Sequence, residues 1–471
     1  MPPSDPADSS LYTHRAVFPV SAAELYDWHA RPGALQRLLP PWQHIEVVES
    51  SGGIEAGARV VLRLVFGPLR LPYHGRHVEA VAQRMFCDVQ ERGPFARWQH
   101  RHIFTDTPQG AALDDRVHYR LPGQALLPGF IDRLARQGLD ALFARRSEVL
   151  HHDLLLHRQC SSRPLRFLVS GASGVLGRDL LPLLTTGGHQ VHTLVRRRPR
   201  HGANEIFWDP QNGELAIDKL PEVDAVIHLA GEYIGLSRWS EEKKRAVLDS
   251  RVRGTTLLAT AMARAERKPE VFLSASAVGY YGDRGETPLS EESPPGSDFI
   301  SEVCRQWEEA AGAARQGGIR TVLLRLGVGL TPRGGALQRL LAASPCGIFS
   351  RHGTGDQYIS WISADDMIAA ILHAATCPAL EGPVNIVAPQ PVSNRELLAT
   401  LAKVTRRPLL CPLPAPLLRI LYGQMASEIL LSSCRGAADK LLATGFRFRH
   451  PSLEGALRSL LGRPARQHQD R

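Results

Sequence analysis

The spacing of apolar residues changes character twice along this chain. Between His14 and Arg120 they recur mainly at every second position, in the stretches 14–19, 45–49, 59–66, 74–82, 85–91, 96–105 and 112–120. That period predicts half-buried strands, because successive side chains of a strand point to opposite faces of a sheet. Ser51-Gly52-Gly53 and Thr107-Pro108-Gln109-Gly110 supply turns, and Ser21-Ala22-Ala23-Glu24 is a capping box that opens a short helix to Ala30. From Phe130 to Leu156 the period becomes helical, with Ile131, Leu134, Leu139, Leu142, Phe143 and Leu150 on one face. A strand, a short helix, a meander and one long amphipathic helix predict an α+β unit whose sheet wraps the helix.

Past the polar stretch Arg158–Pro164 the pattern becomes short continuous apolar runs at 165–170, 188–195, 224–231, 271–282, 321–329 and 384–389, with helical stretches between them such as the one from Trp239 to Thr255. Runs apolar on both faces, alternating with helices, predict a parallel α/β sheet covered on both sides. With 471 residues the chain exceeds what one core organises. Three domains are expected, over 1–158, 164–400 and 401–463.

The run Leu165–Ser170 passes straight into Gly171-Ala172-Ser173-Gly174-Val175-Leu176-Gly177 and a helix start. This is a dinucleotide cradle: Gly171 for the tight turn, Gly174 for approach of backbone to pyrophosphate, Gly177 for packing of the helix on the strand. The helix N-terminus offers free N–H groups to the phosphates. Pro182 sits inside the expected helix, where a late start or a kink would accommodate it. The next strand ends in Arg196-Arg197-Arg198 where NAD-binding chains carry a carboxylate for the adenosine ribose. Arginines there pair with a 2′-phosphate, so Arg196 and Arg197 predict NADP(H) over NAD(H).

Charge changes the picture little. The net +9 arises from 56 basic against 47 acidic residues spread along the chain, which argues for a basic surface and against a nucleic-acid partner. Seven cysteines without paired metal spacing predict reduced thiols. Met1-Pro2-Pro3-Ser4-Asp5-Pro6 has neither a basic nor an apolar leader region, and the greasy stretch Pro408–Tyr422 is broken by four prolines and Arg419. No membrane span is expected, and a cytoplasmic location is.

Over about residues 10–155 the element order resembles the helix-grip domains of the START-like and polyketide-cyclase/dehydrase superfamily. The resemblance implies a cavity between sheet and long helix for a lipid or aromatic ligand. The histidines His74, His77, His100, His102 and His118 alternate along strands and are read as solvent-facing or satisfied core residues, with no metal expected.

Residues 164 to about 400 resemble an extended short-chain dehydrogenase/reductase with a Rossmann-like sheet. More narrowly, they resemble its atypical branch of NAD(P)-dependent epimerase-like proteins. The carrying segments are His228-Leu229-Ala230-Gly231 with Arg238-Trp239, Ser274-Ala-Ser276-Ala-Val-Gly-Tyr280-Tyr281-Gly282, Ser360-Trp361-Ile362 with Asp365-Asp366, and the tail from Arg407 to Leu461 with Gly445-Phe446. The tail is similar to that branch's small C-terminal domain. The resemblance adds Leu229, Ala230, Gly231 and Ser274 to the cofactor contacts.

Ordinary members of the superfamily use a serine with a Tyr-x-x-x-Lys pair. Here the matching segment reads Asp298-Phe299-Ile-Ser-Glu-Val303-Cys304, so phenylalanine and valine stand where the tyrosine and lysine would. Ser276 remains to polarise a carbonyl, and Tyr280 is the stand-in acid. Two functions follow as expectations: an NADP(H)-dependent oxidoreductase or epimerase-like enzyme on an apolar or sugar-like carbonyl, or a catalytically silent NADP(H)-binding protein with a lipid- or aromatic-binding front module.

Overall fold

The computed structural model describes residues 9–123, 128–160, 163–215, 222–235, 237–342 and 347–463. The N-terminal segment read for a leader and the Ser161-Ser162 part of the domain border lie outside the described residues. The chain divides into two compact units: Met1–Gln159 with 185–188 and Ser459–Arg471, and Cys160–Leu184 with His189–Arg458. Most of the tail, to Arg458, thus groups with the second unit.

In the first unit, β1 (Ser10–Phe18), α1 (Ala22–Ala30) and α2 (Ala34–Leu38) precede β2 (His44–Ser51), β3 (Arg59–Phe66), β4 (Leu69–Val81), β5 (Met85–Arg92), β6 (Arg97–Thr107) and β7 (Gly110–Arg120), and α3 (Pro128–Cys160) closes it. The seven strands form one antiparallel sheet in the order β1-β7-β6-β5-β4-β3-β2. Each expected apolar run became a strand. β4 begins five residues before the expected His74, at Leu69, and its pairing with β3 runs through Pro72. Phe18, Leu25, Trp28, Phe104 and Leu113 form a core with Val149, Leu150 and Leu154 of α3. Arg37 and Asp153 close a buried two-bond pair, at 2.8 and 2.6 Å. Two of the five strand histidines depart from an ordinary satisfied core: His100 and His102 are buried on the inner face against Asp88 and Asp115.

In the second unit, β8 (Arg166–Ser170), α4 (Val175–Thr186), β9 (Gln190–Val195), β10 (Glu205–Asp209), β11 (Glu214–Leu215), β12 (Ala225–His228), α5 (Glu241–Arg264), β13 (Val271–Ala277) and α6 (Phe299–Ala310) follow one another. With strands Arg320–Leu326 and Gly382–Ile386 they build an eight-stranded sheet in the order β11-β10-β9-β8-β12-β13-(320–326)-(382–386). All neighbours pair in parallel except β10 with β11. The chain reverses direction across the sheet between β8 and β12, and open α/β sheets bind ligands beyond the carboxyl ends of such strands. Helix α4 starts at Val175 and runs through Pro182 to Thr186. Burial of Leu180, Leu183 and Leu184 offsets the backbone bond the proline cannot make.

Ser360 and Asp365-Asp366 prove to be anchors for the tail. Ser360 Oγ donates to Cys434 O at 2.8 Å and accepts from Gly436 N at 2.8 Å. Asp366 accepts from the backbone N–H groups of Arg449 and His450 at 2.6 and 3.1 Å, and burial lifts its carboxyl to about 6. Among the described residues no helix is long and apolar enough to cross a membrane.

Candidate functional site

The turn between β8 and α4 is shaped by what it cannot contain. Gly171 has φ +74°, and a Cβ on it would lie 2.7 Å from Ala230 N and Leu229 C at the end of β12. A Cβ on Gly177 would overlap Gly171 O and come within 2.7 Å of Ala172 Cα. Gly174 meets only Gly171 O, at 3.2 Å, so its other side is open. Two glycines therefore let backbone pack on backbone, and the third leaves room above the N-terminus of α4. These are the features that diphosphate capture by main-chain N–H groups requires.

A cavity of about 1150 Å³ opens there, lined by Gly171–Gly174, the end of β9, β10 and the loop after it, Leu229–Glu232, and one face of α5. Among the expected contacts, Gly171, Ala172, Ser173, Gly174, Arg196, Arg197, Leu229, Ala230 and Gly231 line it; Val175, Leu176, Gly177 and Ser274 do not. Ser274 is fully buried in β13, opposite His228.

The two expected arginines differ in what they already hold. Arg197 bonds both oxygens of Glu205, at 2.9 and 2.6 Å, and Arg200 shares the same carboxylate. These guanidinium groups, first through their hydrogen bonds, hold the Glu205 carboxyl down at about 2. Arg196 makes no hydrogen bond or ion pair among the described residues, and neither does Arg245, which reaches the cavity from α5. Among the described residues lining the cavity, Arg196 and Arg245 are thus the arginines that no hydrogen bond or ion pair engages. The sequence left Arg245 unseen, because nothing in a solvated helix face reveals which strand end it will meet.

Below the cradle, His228 Nδ1 and Ser170 Oγ are 2.6 Å apart, and Ala230 N donates to the same hydroxyl at 3.4 Å. Arg251 donates to Glu232 O and Val247 O, both at 3.0 Å, and stacks on Trp307 at 4.9 Å, which ties the loop after β12 to α5.

Past β13 lies a buried network. Ser276 Oγ donates to Glu308 Oε1 at 2.7 Å, and Arg325 holds both Glu308 oxygens at 2.8 and 2.9 Å. Arg325 also donates to Tyr281 OH at 3.0 Å, and that hydroxyl donates to Asn385 Oδ1 at 2.6 Å. Ser276, expected to polarise a carbonyl, is 1 % exposed and its hydroxyl proton goes to Glu308. Tyr280 differs. Its half-buried ring lies over the Arg325 guanidinium at 3.6 Å, and its hydroxyl makes no hydrogen bond among the described residues.

Comparison with known proteins agrees with this geometry. Residues 167–387 match the NAD dependent epimerase/dehydratase family, 413–460 the domain of unknown function DUF1731, and 18–143 the family of polyketide cyclase / dehydrase and lipid transport. The chain is 38 % identical over 296 residues to an epimerase family protein of Mycobacterium bovis, covering 63 % of this chain and 97 % of that one. The chain belongs to the epimerase family. A Corynebacterium glutamicum structure described as a nucleoside-diphosphate sugar epimerase superposes with a TM-score of 0.80 at 33 % identity, over 96 % of this chain and 90 % of that one. The human epimerase family protein SDR39U1, solved with NADPH, superposes with a TM-score of 0.58 at 31 % identity, over 63 % of this chain and 99 % of that one.

In this epimerase family chain α6 is capped by Asp298, which accepts from Ser301 N at 2.8 Å. Phe299 packs edge-on against Trp239 at 5.4 Å with Lys244 Nζ 5.5 Å from its ring, and Val303 is 2 % exposed. Neither α6 position carries a proton.

Burial, reinforced by the Arg251 charge, pushes His228 down to about 3. Between roughly pH 6.5 and that value the unfolded chain binds a proton here that the folded chain refuses, so acid removes stability. From pH 7 to pH 5 the loss from this group alone is about 2 kcal/mol. Denaturant unfolding should show His228→Gln losing about 2 kcal/mol less over that interval than the parent; equal losses would contradict a neutral buried imidazole.

Proposed function

We propose that this chain is an NADP(H)-binding oxidoreductase of the epimerase family, acting on a sugar-like carbonyl or alcohol, with Tyr280 as its proton carrier. The observation that supports the cofactor reading is the glycine cradle with Arg196, after β9, and Arg245, on α5, lining the same cavity, neither of them hydrogen-bonded or ion-paired among the described residues. Glu205, a carboxylate that also lines the cavity, is already held by Arg197 and Arg200. NADPH in the human relative and the description of the Corynebacterium neighbour support the cofactor and the substrate class.

The cradle residues 171–177 would hold the diphosphate, and Arg196 with Arg245 the 2′-phosphate. When bound, the cofactor supplies hydride transfer. Everything else falls to the chain. Ser276, Glu308, Arg325 and Tyr281 form a rigid charged brace behind the carboxyl end of β13. The brace fixes the Tyr280 ring on Arg325 while leaving its hydroxyl available to a substrate oxygen. A tyrosine so placed can give or take a proton as the carbon it serves changes oxidation state.

Phe299 and Val303 favour a second reading, a silent NADP(H) binder. Single-turnover loss of NADPH absorbance against a panel of carbonyls that includes nucleoside-diphosphate sugars separates the two. Tyr280→Phe should lower the rate by about 10²-fold or more, the usual worth of a general acid. Equal rates in parent and variant remove Tyr280 from the role, and no turnover with any substrate favours the silent binder.

Each charge-assisted contact is worth about 1.5–3 kcal/mol, or roughly ten- to a hundredfold. The double variant Arg196→Ala/Arg245→Ala should therefore weaken NADPH at least about tenfold and leave NADH unchanged. Arg197→Ala should alter the preference little. A preference lost in Arg197→Ala and kept in the double variant would reverse the assignment.

A further inference from the structure

We propose that the first unit holds a divalent transition-metal ion on the inner face of its sheet, ligated by Asp88, His100 and His102, with Asp115 orienting the two imidazoles. This goes beyond the reading of the cofactor cavity, which involves none of these residues.

The pairing of three strands brings the groups together. Asp88 of β5 lies opposite His100 of β6, and His102 of β6 lies opposite Asp115 of β7, while the intervening Arg101 and Arg116 point outward. The two imidazoles lie with centroids 3.8 Å apart and planes tilted by 41°. On one side Asp115 Oδ1 is 2.9 Å from His100 Nε2 and 2.8 Å from His102 Nδ1. The first contact is a hydrogen bond; the second has the distance of one but not the direction, and leaves His102 Nδ1 buried without a hydrogen-bond partner. On the other side Asp88 Oδ1 is 3.7 Å from His100 Nδ1 and 3.6 Å from His102 Nε2. One ligand atom from each of Asp88, His100 and His102 lies within 4.8 Å of the other two.

Separations of 3.6 and 3.7 Å are too long for hydrogen bonds and suit three donors that share one cation. With donor–metal distances of about 2.1 Å, the angle at the ion between Asp88 Oδ1 and either nitrogen would be roughly 120°. Asp115 on the far nitrogen of His100 is the kind of partner that metal-bound histidines use to fix their tautomer. Two imidazoles and one carboxylate select borderline ions such as Zn²⁺, Fe²⁺ or Co²⁺ over Ca²⁺ or Mg²⁺, and three protein ligands leave a position open to water.

Charge points the same way. The side chains are 18 % exposed at Asp88, 4 % at His100, 9 % at His102 and 7 % at Asp115. Arg146 of α3 faces both carboxylates and balances one of them. Nearby on β4, Tyr73 is neutral, its phenol raised by burial, and on α1 burial holds His29 down at about 4, so neither supplies a cation. His77 Nδ1, also on β4, is buried without a hydrogen-bond partner. One negative charge is left unmatched, which a divalent ion would more than meet and a proton on one imidazole would just meet.

Titration of the chelator-stripped full-length protein with Co²⁺ alone decides between them. One equivalent with d–d absorption, displaced by Zn²⁺, is expected. His100→Ala and the more conservative His102→Gln should abolish the spectrum, and Asp115→Asn should keep the site while weakening it about 10–100-fold. Near-UV circular dichroism reports on the folding of each variant, and NADPH titration reports separately on the other cavity. No cobalt spectrum from folded parent protein, or an unchanged spectrum in folded His102→Gln, would overturn the site and leave the cluster as a histidinium held between two carboxylates.

Discussion

The second unit depends on a contact that has no side chain in it. Where β8 turns into α4, the backbone of Gly171 rests on the end of β12 and Gly177 rests on Gly171 and Ala172. Any Cβ at either position would push α4 away from the sheet. With the helix end held there, Gly171–Gly174 of the turn and Leu229–Glu232 line the cavity together. His228 and Ser170 lie directly under that wall, and Arg251 fastens it to α5. The expense of burying a neutral histidine and a guanidinium there is consistent with a floor that must not move.

The charged groups of this unit fall into two kinds. Glu205, Arg197 and Arg200 complete one another, as do Ser276, Glu308 and Arg325. Such groups cannot also serve a ligand without losing a bond they already make. Arg196, Arg245 and the hydroxyl of Tyr280 are left over. The proposed chemistry rests on these residues because the charged groups just named are already engaged with one another.

Much of the architecture was legible in the amino-acid order because it rests on local periodicity. All seven strands of the first sheet, the long α3 and the glycine turn announce themselves by spacing within one element. What failed to show depends on pairing across elements. Glu205 stands between Asn204 and a short run, Ile206-Phe207-Trp208, that was not read as a strand, so its claim on Arg197 was invisible. Ser276 looks like a catalytic serine until α6 brings Glu308 to it from 32 residues away. His100 and His102 look like ordinary alternating residues until β5 and β7 set Asp88 and Asp115 on either side. The Ser360 and Asp365-Asp366 motif, quoted as a family mark, owes its form to holding the tail.

Calorimetric titration of the full-length chain with NADPH, run beside Gly177→Val, tests the cradle most directly. One equivalent bound by the parent and no heat from a folded variant is the predicted pair of results. Absence of binding by the parent, or equal binding by both, would contradict a diphosphate site made of backbone at this turn.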